Sequence, residues 1–317
     1  MTKRAFIFPG QGAQSVGMGQ ALADAFPAAK AVFDEVDEAL GETLSQLIWR
    51  GPEETLTLTA NTQPALMAVS VAVVRALEAD FGIGIDSADF VAGHSLGEYS
   101  ALCAAGALDL AVTARLLRTR GNAMQAAVSP GEGAMAALLG ADISQAEAAC
   151  TAGVAAAGGS CEIANDNAPG QLVLSGTAAA VTAACAYARE NGVKKAVPLA
   201  VSAPFHSSLM GPAADAMAEA LADADIHAPK VPLIANVSAA PTDDPDTIRR
   251  QLVEQVTGRV HWRESVEFLA SAGIAETIEA GPGKVLTVMN RRTARDISGK
   301  PLGTPEDLEA FAEALRG

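Results

Sequence analysis

Large aromatic side chains, paired cysteines and positive charge are all scarce in this chain of 317 residues. Phe, Trp and Tyr make up only 4% of the residues while 50% are hydrophobic, so small and aliphatic side chains must fill the core. The cysteines show no C-x-x-C spacing, which supports neither a disulfide framework nor a zinc site. The formal net charge of -15 repels phosphates and anionic lipids, so we expect neither nucleic acid nor membranes as partners.

Long hydrophobic runs are also missing. The N-terminal apolar run at residues 5–8 is too short for the core of a signal peptide and ends at a Pro-Gly pair. The longest uncharged stretch, residues 167–188, is interrupted by Pro169 and Gly170 and reads as strand, turn and helix instead of a membrane span. We therefore expect a cytoplasmic protein.

The hydrophobic periodicity changes twice along the chain. Up to about residue 127, a short strand at residues 5–8 and a buried strand at residues 89–92 alternate with long helical stretches, including one at residues 63–80. Residues 130–198 then show short pieces in the order βαββαβ, which is typical of a ferredoxin-like unit. Longer helices return afterwards, and the last 20 or so residues are predicted to form a surface tail that ends in a helix. This pattern predicts one large α/β domain with a smaller inserted one.

Residues 93–97, Gly-His-Ser-Leu-Gly, match the G-x-S-x-G nucleophile elbow. A strand is predicted before them and a helix after them, which is the context that the elbow requires. The glycines allow the sharp turn, and the N-terminus of the following helix directs N–H groups at any oxyanion formed there. We therefore favour Ser95 as a nucleophile over an incidental serine in a Gly-rich turn.

A nucleophilic serine needs a base, and the chain offers four histidines. His94 adjoins Ser95, but neighbours at an elbow point apart, so His94 is expected to line the site. His227 lies beside a proline in a polar connection and is expected to be solvated. His206 stands in a loop that enters a helix, where functional side chains are commonly displayed. The residue pattern favours His206 but leaves His261 as its rival.

Residues 8–14, Phe-Pro-Gly-Gln-Gly-Ala-Gln, form a Gly-rich loop after the first strand. The loop lacks the third glycine of G-x-G-x-x-G, because Ser15 occupies that place, and no G-K-[ST] follows, so a nucleotide site is poorly supported. The loop is better explained as the source of a backbone N–H for an oxyanion hole, because hydrolase elbows take their second donor from such a loop. The alternative is a simple tight turn.

Short sequence blocks along nearly the whole chain resemble the bacterial malonyl-CoA:acyl carrier protein transacylases, a family of acyltransferases of type II fatty acid synthesis. The blocks occur in order and are FPGQGAQSVGMG at 8–19, TQPAL at 62–66, GHSLGEYSAL at 93–102, RG with MQ at 120–125, NDNAPGQ at 165–171, APFH at 203–206, SVEF at 265–268 and GPGKVL at 281–286.

The resemblance implies catalytic roles for matched positions. Ser95 would attack the malonyl thioester with His206 as general base, and the main-chain carbonyl of Gln255 would orient the histidine. The backbone N–H groups of Gln11 and Leu96 would form the oxyanion hole. His261 then becomes a structural residue.

The resemblance also implies a substrate site. Arg120 would grip the free malonyl carboxylate through paired hydrogen bonds, whereas without the resemblance it would read as a charge at a helix end. Phe205, where the family also has a small polar residue, would disfavour an α-methyl branch. Asn165 and Asn167 would line the cleft and meet pantetheine amides, unless they only form a turn. Further cleft-lining residues are expected at His94 and Met124.

We therefore predict an α/β fold: an α/β-hydrolase-like catalytic domain over residues 1–127 and 200–317, and a ferredoxin-like subdomain over residues 128–199. The predicted activity is ping-pong malonyl transfer by a monomer, with malonyl-CoA and holo acyl carrier protein as substrates and with no metal or cofactor. The alternatives are a polyketide acyltransferase, a serine esterase or thioesterase, and a non-catalytic module that docks carrier proteins.

Overall fold

The computed structural model describes residues 2–201 and 203–316, which build two β-sheets with surrounding helices. The strands are β1 (Arg4–Phe8), β2 (Phe90–Gly93), β3 (Gly133–Leu139), β4 (Cys161–Ala168), β5 (Gln171–Thr177), β6 (Lys195–Pro198), β7 (Leu233–Ile234), β8 (Pro241–Thr242), β9 (Glu276–Ala280) and β10 (Ser298–Leu302). The helices are α1 (Gln20–Ala25), α2 (Pro27–Leu40), α3 (Leu44–Arg50), α4 (Glu53–Leu56), α5 (Thr59–Phe81), α6 (Gly97–Ala104), α7 (Leu110–Ala126), α8 (Ile143–Ala157), α9 (Ala178–Glu190), α10 (Gly211–Ala222), α11 (Pro245–Thr257), α12 (Trp262–Ser271), α13 (Val285–Thr293) and α14 (Pro305–Arg316).

The larger sheet has the strand order β10-β9-β1-β2-β7-β8 and is parallel except for the β7–β8 pair. Strand β1 is buried from Ala5 onward and lies in the middle of this sheet, as expected for an apolar run covered on both faces. Phe8 pairs with Gly93, so the loops that follow β1 and β2 emerge side by side. Ligand sites of open parallel sheets form at this carboxyl edge.

The smaller sheet has the strand order β4-β5-β3-β6 and is antiparallel throughout. With helices α8 and α9 between its strands, it shows the βαββαβ order that the sequence predicted, and the α/β fold with a second antiparallel sheet is confirmed. A separate apolar cluster lies within residues 134–196. On that basis we propose domain boundaries at residues 128 and 199.

Helix α5 is 23 residues long and begins at Thr59, four residues before the helix predicted at 63–80. The prediction placed Pro64 in the first turn, where proline is tolerated, whereas the structure has Pro64 inside the helix. Pro64 has no N–H to donate to the carbonyl of Ala60. The guanidinium of Arg118 supplies a donor instead, at 2.7 Å from the Ala60 oxygen. None of the helices in residues 2–201 and 203–316 combines the length and apolar character of a membrane span.

The prediction that the last 20 or so residues form a surface tail is wrong, although they do end in a helix. Strand β10 pairs with β9 along its whole length, which adds an edge strand to the larger sheet. Helix α14 buries Leu308, Phe311 and Ala312. These residues recur at helical spacing, so the end of the chain carries an apolar face that must pack against the domain.

A glycine brings α7 against the start of α5. A Cβ atom added at Gly121 would lie 2.6 Å from the Cα of Ala60 and 2.8 Å from the carbonyl oxygen of Thr59. Only a residue without a side chain fits there. This close approach places Arg120, the preceding residue, beside Gln63 of α5.

We predict that Gly121→Ala destabilises the protein although alanine is the better helix former. The backbone clash should lower the free energy of unfolding by about 1–3 kcal/mol, as overpacked sites do. Gly211→Ala is the matched control, because nothing lies within 4 Å of its added Cβ in helix α10. The control should change the free energy of unfolding by less than about 1 kcal/mol, because the better helix propensity of alanine is opposed by the restriction that Pro212 places on the residue before it. Urea unfolding of both variants tests this, and equal effects would contradict it.

Candidate active site

The turn between β2 and α6 holds Ser95 in the left-handed region, with φ at 53°. Such a φ is uncommon for a residue other than glycine and marks a constrained site. Steric clashes exclude any other residue at the two flanking glycines. A Cβ on Gly93 would lie 1.9 Å from the carbonyl of Gly97, and a Cβ on Gly97 would lie 2.3 Å from the carbonyl oxygen of Phe8. The sequence therefore forms the sharp strand-to-helix turn that the motif predicts.

Asn236, two residues after the end of the neighbouring strand β7, holds this turn. Its Oδ1 accepts a hydrogen bond from the backbone N–H of Ser95 at 2.7 Å, and its Nδ2 donates to the carbonyl of Gly93 at 2.6 Å. Asn236 is buried. No motif in the sequence marks Asn236, although a polar residue shortly after a buried strand at the carboxyl edge of a parallel sheet is a usable signal.

Ser95 and His206 form a hydrogen-bonded pair, with 2.7 Å between Oγ and Nε2. On the other side of the ring, Nδ1 lies 2.8 Å from the carbonyl oxygen of Gln255. A carbonyl can only accept, so Nδ1 must carry the proton and Nε2 presents its lone pair to the serine. Burial, followed by the charge of Arg120, lowers the pKa of His206 to about 3, which keeps the ring neutral at physiological pH.

Arg120 is only 1% exposed and faces the same hydroxyl, with Nη2 at 3.2 Å from Ser95 Oγ. Its guanidinium is held by two glutamine oxygens: Nη1 donates to Gln63 Oε1 at 2.7 Å and Nη2 donates to Gln255 Oε1 at 2.8 Å. Within the described part of the chain, its buried Nε makes no hydrogen bond. The other two arginines of α7 differ, because Arg115 is exposed and Arg118 donates to the carbonyl of Ala60.

A cavity of about 350 Å³ lies over these groups, between the two sheets. Most of the candidate residues from the sequence meet there. Its lining includes Gln11, His94, Ser95, Leu96, Arg120, Met124, Asn165, Asn167, Phe205 and His206. Gln255 is not part of the lining and stands behind His206, where its carbonyl holds the ring.

His94 connects the elbow to the smaller sheet. Its Nε2 lies 2.8 Å from Asn167 Oδ1, and its ring centroid lies 5.6 Å from that of Trp262. Burial lowers the pKa of His94, so its ring is also neutral. Asn165 and Asn167 belong to strand β4, so the interpretation of these residues as turn formers is wrong.

The loop after β1 lies directly on the elbow. A Cβ on Gly10 would lie 2.7 Å from the carbonyl oxygen of His94, so only glycine permits this contact. Gln11, the next residue, is thereby brought into the cavity beside Ser95 and Leu96.

The remaining histidines lie outside the cavity lining. His261 precedes helix α12, with its Nδ1 at 3.1 Å from a carboxylate oxygen of Glu264. His227 is exposed beside Asp225. Among residues 2–201 and 203–316, no group of three or more His, Cys, Asp or Glu side chains is arranged to hold a metal ion.

Two buried polar residues were not assigned a role from the sequence: Gln63 in the cavity lining and Glu98 behind it. Gln63 holds Arg120, and Glu98 accepts a hydrogen bond from Gln255 Nε2 at 2.6 Å. Burial raises the pKa of Glu98 to about 7. Both residues stand inside matched sequence blocks, at 62–66 and 93–102, but their contacts are long-range and leave no local pattern.

Comparison with known proteins agrees with this geometry. The model of the acyl transferase domain family matches residues 5–307. The malonyl CoA-acyl carrier protein transacylase of Bacillus subtilis (strain 168) is 46% identical over 316 residues, which cover 100% of this chain and 98% of the relative.

Solved structures show the same similarity. An acyl-carrier-protein-S-malonyltransferase from Bartonella henselae has a TM-score of 0.96 and 55% identity, covering 99% of this chain and 100% of that one. A malonyl-transacylase solved in complex with its type II PKS acyl-carrier protein has a TM-score of 0.94 and 39% identity, covering 99% of this chain and 100% of that one. The chain therefore belongs to the acyl transferase family of which these malonyl CoA-acyl carrier protein transacylases are members.

Proposed function

We propose that this chain transfers a malonyl group from malonyl-CoA to the phosphopantetheine thiol of an acyl carrier protein, through a malonyl ester on Ser95. The observation that carries the proposal is the position of Ser95 Oγ, at 2.7 Å from a neutral imidazole and 3.2 Å from a buried guanidinium. A nucleophile, its base and a cation for the acyl carboxylate thus share one cavity. The names of the relatives support the same reaction.

In the first half-reaction, Ser95 Oγ attacks the thioester carbonyl carbon while His206 Nε2 takes the hydroxyl proton. The oxyanion then faces the loop of Gln11 and the start of α6, where the backbone N–H groups of Gln11 and Leu96 are the proposed donors. The C–S bond breaks, and His206 returns the proton to the leaving thiolate. The same steps in reverse place the acyl group on the carrier thiol.

Arg120 supplies the selectivity for a malonyl group. A planar guanidinium binds a carboxylate through two parallel hydrogen bonds, which are stronger than bonds between neutral groups. The oxygens that hold the guanidinium come from the neutral side chains of Gln63 and Gln255. Its charge therefore stays available for the malonyl carboxylate.

The remaining lining residues shape the acyl and pantetheine sites. Phe205 and Met124 are buried apolar side chains that leave little room for an α-methyl branch, a discrimination worth about 1–3 kcal/mol. Asn165 and Asn167 are the proposed partners of the pantetheine amides. We further propose that the reaction needs no cofactor and that the enzyme acts as a cytoplasmic monomer.

A second candidate function differs only in its carrier. One structural relative was solved with a type II PKS acyl-carrier protein, so a polyketide carrier is a possible acceptor as well. A hydrolase is less well supported, because His206 is oriented by a main-chain carbonyl and not by a carboxylate.

The test of the proposed function is an intact-mass measurement in two steps. After mixing with malonyl-CoA, the wild-type chain should gain one malonyl group, and holo carrier protein should then remove it and gain the same mass. Ser95→Ala should show neither step. Loss of the group to free malonate would indicate a hydrolase, and a wild-type chain that never gains mass would indicate a docking module.

Arg120→Ala should change the acyl preference. Loss of two charge-assisted hydrogen bonds should lower kcat/KM for malonyl-CoA by about 10²-fold or more, while acetyl transfer is kept or gained. Arg118→Ala is the control, because Arg118 lies on the same helix and binds Ala60 and Asn61 outside the cavity lining. Equal loss of both transfers in Arg120→Ala would argue for a structural role.

The lowered pKa of His206 predicts a flat pH profile. Because the ring stays unprotonated well below its usual pKa, the rate of Ser95 labelling by a fluorophosphonate should be constant between about pH 5 and pH 8. An ordinary histidine base would instead lose about tenfold per pH unit below about 6.5. That steeper profile, measured on the wild-type chain, would contradict the neutral-base assignment.

A further inference from the structure

The side-chain amide of Gln255 has two unlike ends, and each end meets a matching partner. Its Oε1 accepts from Arg120 Nη2 at 2.8 Å, whereas its Nε2 donates to the carbonyl of Ser95 at 2.9 Å and to Glu98 Oε2 at 2.6 Å. Rotating the amide by half a turn would set its NH₂ group against the guanidinium, which has only donors. The orientation of this amide therefore decides whether Arg120 is held.

Of the two groups that accept from the Gln255 amide, Glu98 makes the shorter hydrogen bond. It is 1% exposed and lies on α6, three residues after the nucleophile. Its Oε2 accepts from Gln255 and from the backbone N–H of Asn236, at 2.6 and 3.4 Å. Both neighbours approach as donors, so the carboxyl presents an acceptor to the amide whichever protonation state it has.

The buried environment of Glu98 disfavours the ionised form of its carboxyl group. Burial raises the pKa of Glu98 to about 7, although the hydrogen bonds from Gln255 and Asn236 and the charge of Arg120 favour the ionised form. Tyr99 on the same helix and Arg120 on α7 are the titratable or charged groups that interact with it. The hydrogen bonds from Gln255 and Asn236 therefore offset only part of the cost of burying the ionised carboxylate.

We infer that Glu98 is a positioning residue for malonyl recognition: its carboxyl oxygen orients the Gln255 amide, and the amide oxygen holds Arg120 toward Ser95. The inference rests on the proposed function, because it takes the malonyl carboxylate as the ligand of Arg120. Glu98 also reaches Asn236, which holds the elbow, so its removal is expected to slow every acyl transfer to some extent. The specific effect is therefore the ratio of malonyl to acetyl transfer.

The experiment compares Glu98→Met, which removes the acceptor, with Glu98→Gln, which keeps an oxygen at the same place. In Glu98→Met, kcat/KM for malonyl-CoA should fall by about 10- to 100-fold through KM, as for a displaced positioning contact, with a much smaller change for acetyl-CoA. Glu98→Gln should keep most of the malonyl preference. Leu102→Ala, a buried substitution on the same helix, is the control and should leave the ratio unchanged.

A double-mutant cycle shows whether Glu98 acts through Gln255. Gln255→Met should lower the malonyl ratio by itself, and adding Glu98→Met should cause no further loss, because the two side chains form one relay. If Glu98→Met does not fold, Glu98→Asp withdraws the carboxyl by one methylene and should lower the same ratio.

Three results would overturn the inference: equal losses for both acyl donors, a Glu98→Gln variant as impaired as Glu98→Met, or fully additive losses in the double variant. A wild-type chain that gains no malonyl group in the intact-mass measurement would instead contradict the proposed function, so the two failures can be distinguished.

Discussion

The burial of the Arg120 guanidinium beside Ser95 is the constraint on which the rest of the site depends. Removing a cation from water costs free energy, so a buried guanidinium is expected where its charge has a function. Here neutral glutamine oxygens hold it, so no carboxylate neutralises it by direct contact. The same charge helps to keep His206 neutral and favours ionisation of Glu98. The electrostatics of the proposed nucleophile, the proposed base and the proposed carboxylate site are therefore coupled.

The fold assembles this set from distant parts of the chain. Ser95 and His206 are separated by 111 residues and Arg120 and Gln255 by 135, yet all lie at the carboxyl edge of the larger sheet. Close backbone contacts make the assembly possible, since Gly121 lets α7 reach α5 and the elbow glycines let β2 turn sharply. The smaller sheet closes the cavity through β4, which binds His94. The fold thus brings side chains from distant parts of the chain together in the proposed catalytic site.

The parts of the site that the sequence predicts are those formed by residues close together in the chain. The elbow and the βαββαβ order are local patterns, and both are present in the structure as predicted. The choice of His206 over His261 needed the family resemblance, because both precede helices and only tertiary packing separates them. The side chains of Gln255 and Glu98 escaped prediction for the same reason: their partners lie up to 160 residues away. The buried end of the chain was missed although its helical spacing was visible.

The measurement that tests the central claim most directly is a crystal structure of the chain with a malonyl ester on Ser95. We predict that both oxygens of the malonyl carboxylate lie about 2.7–2.9 Å from guanidinium nitrogens of Arg120, the distance of charge-assisted hydrogen bonds. A carboxylate that points to solvent, with Arg120 still bound only by Gln63 and Gln255, would contradict it.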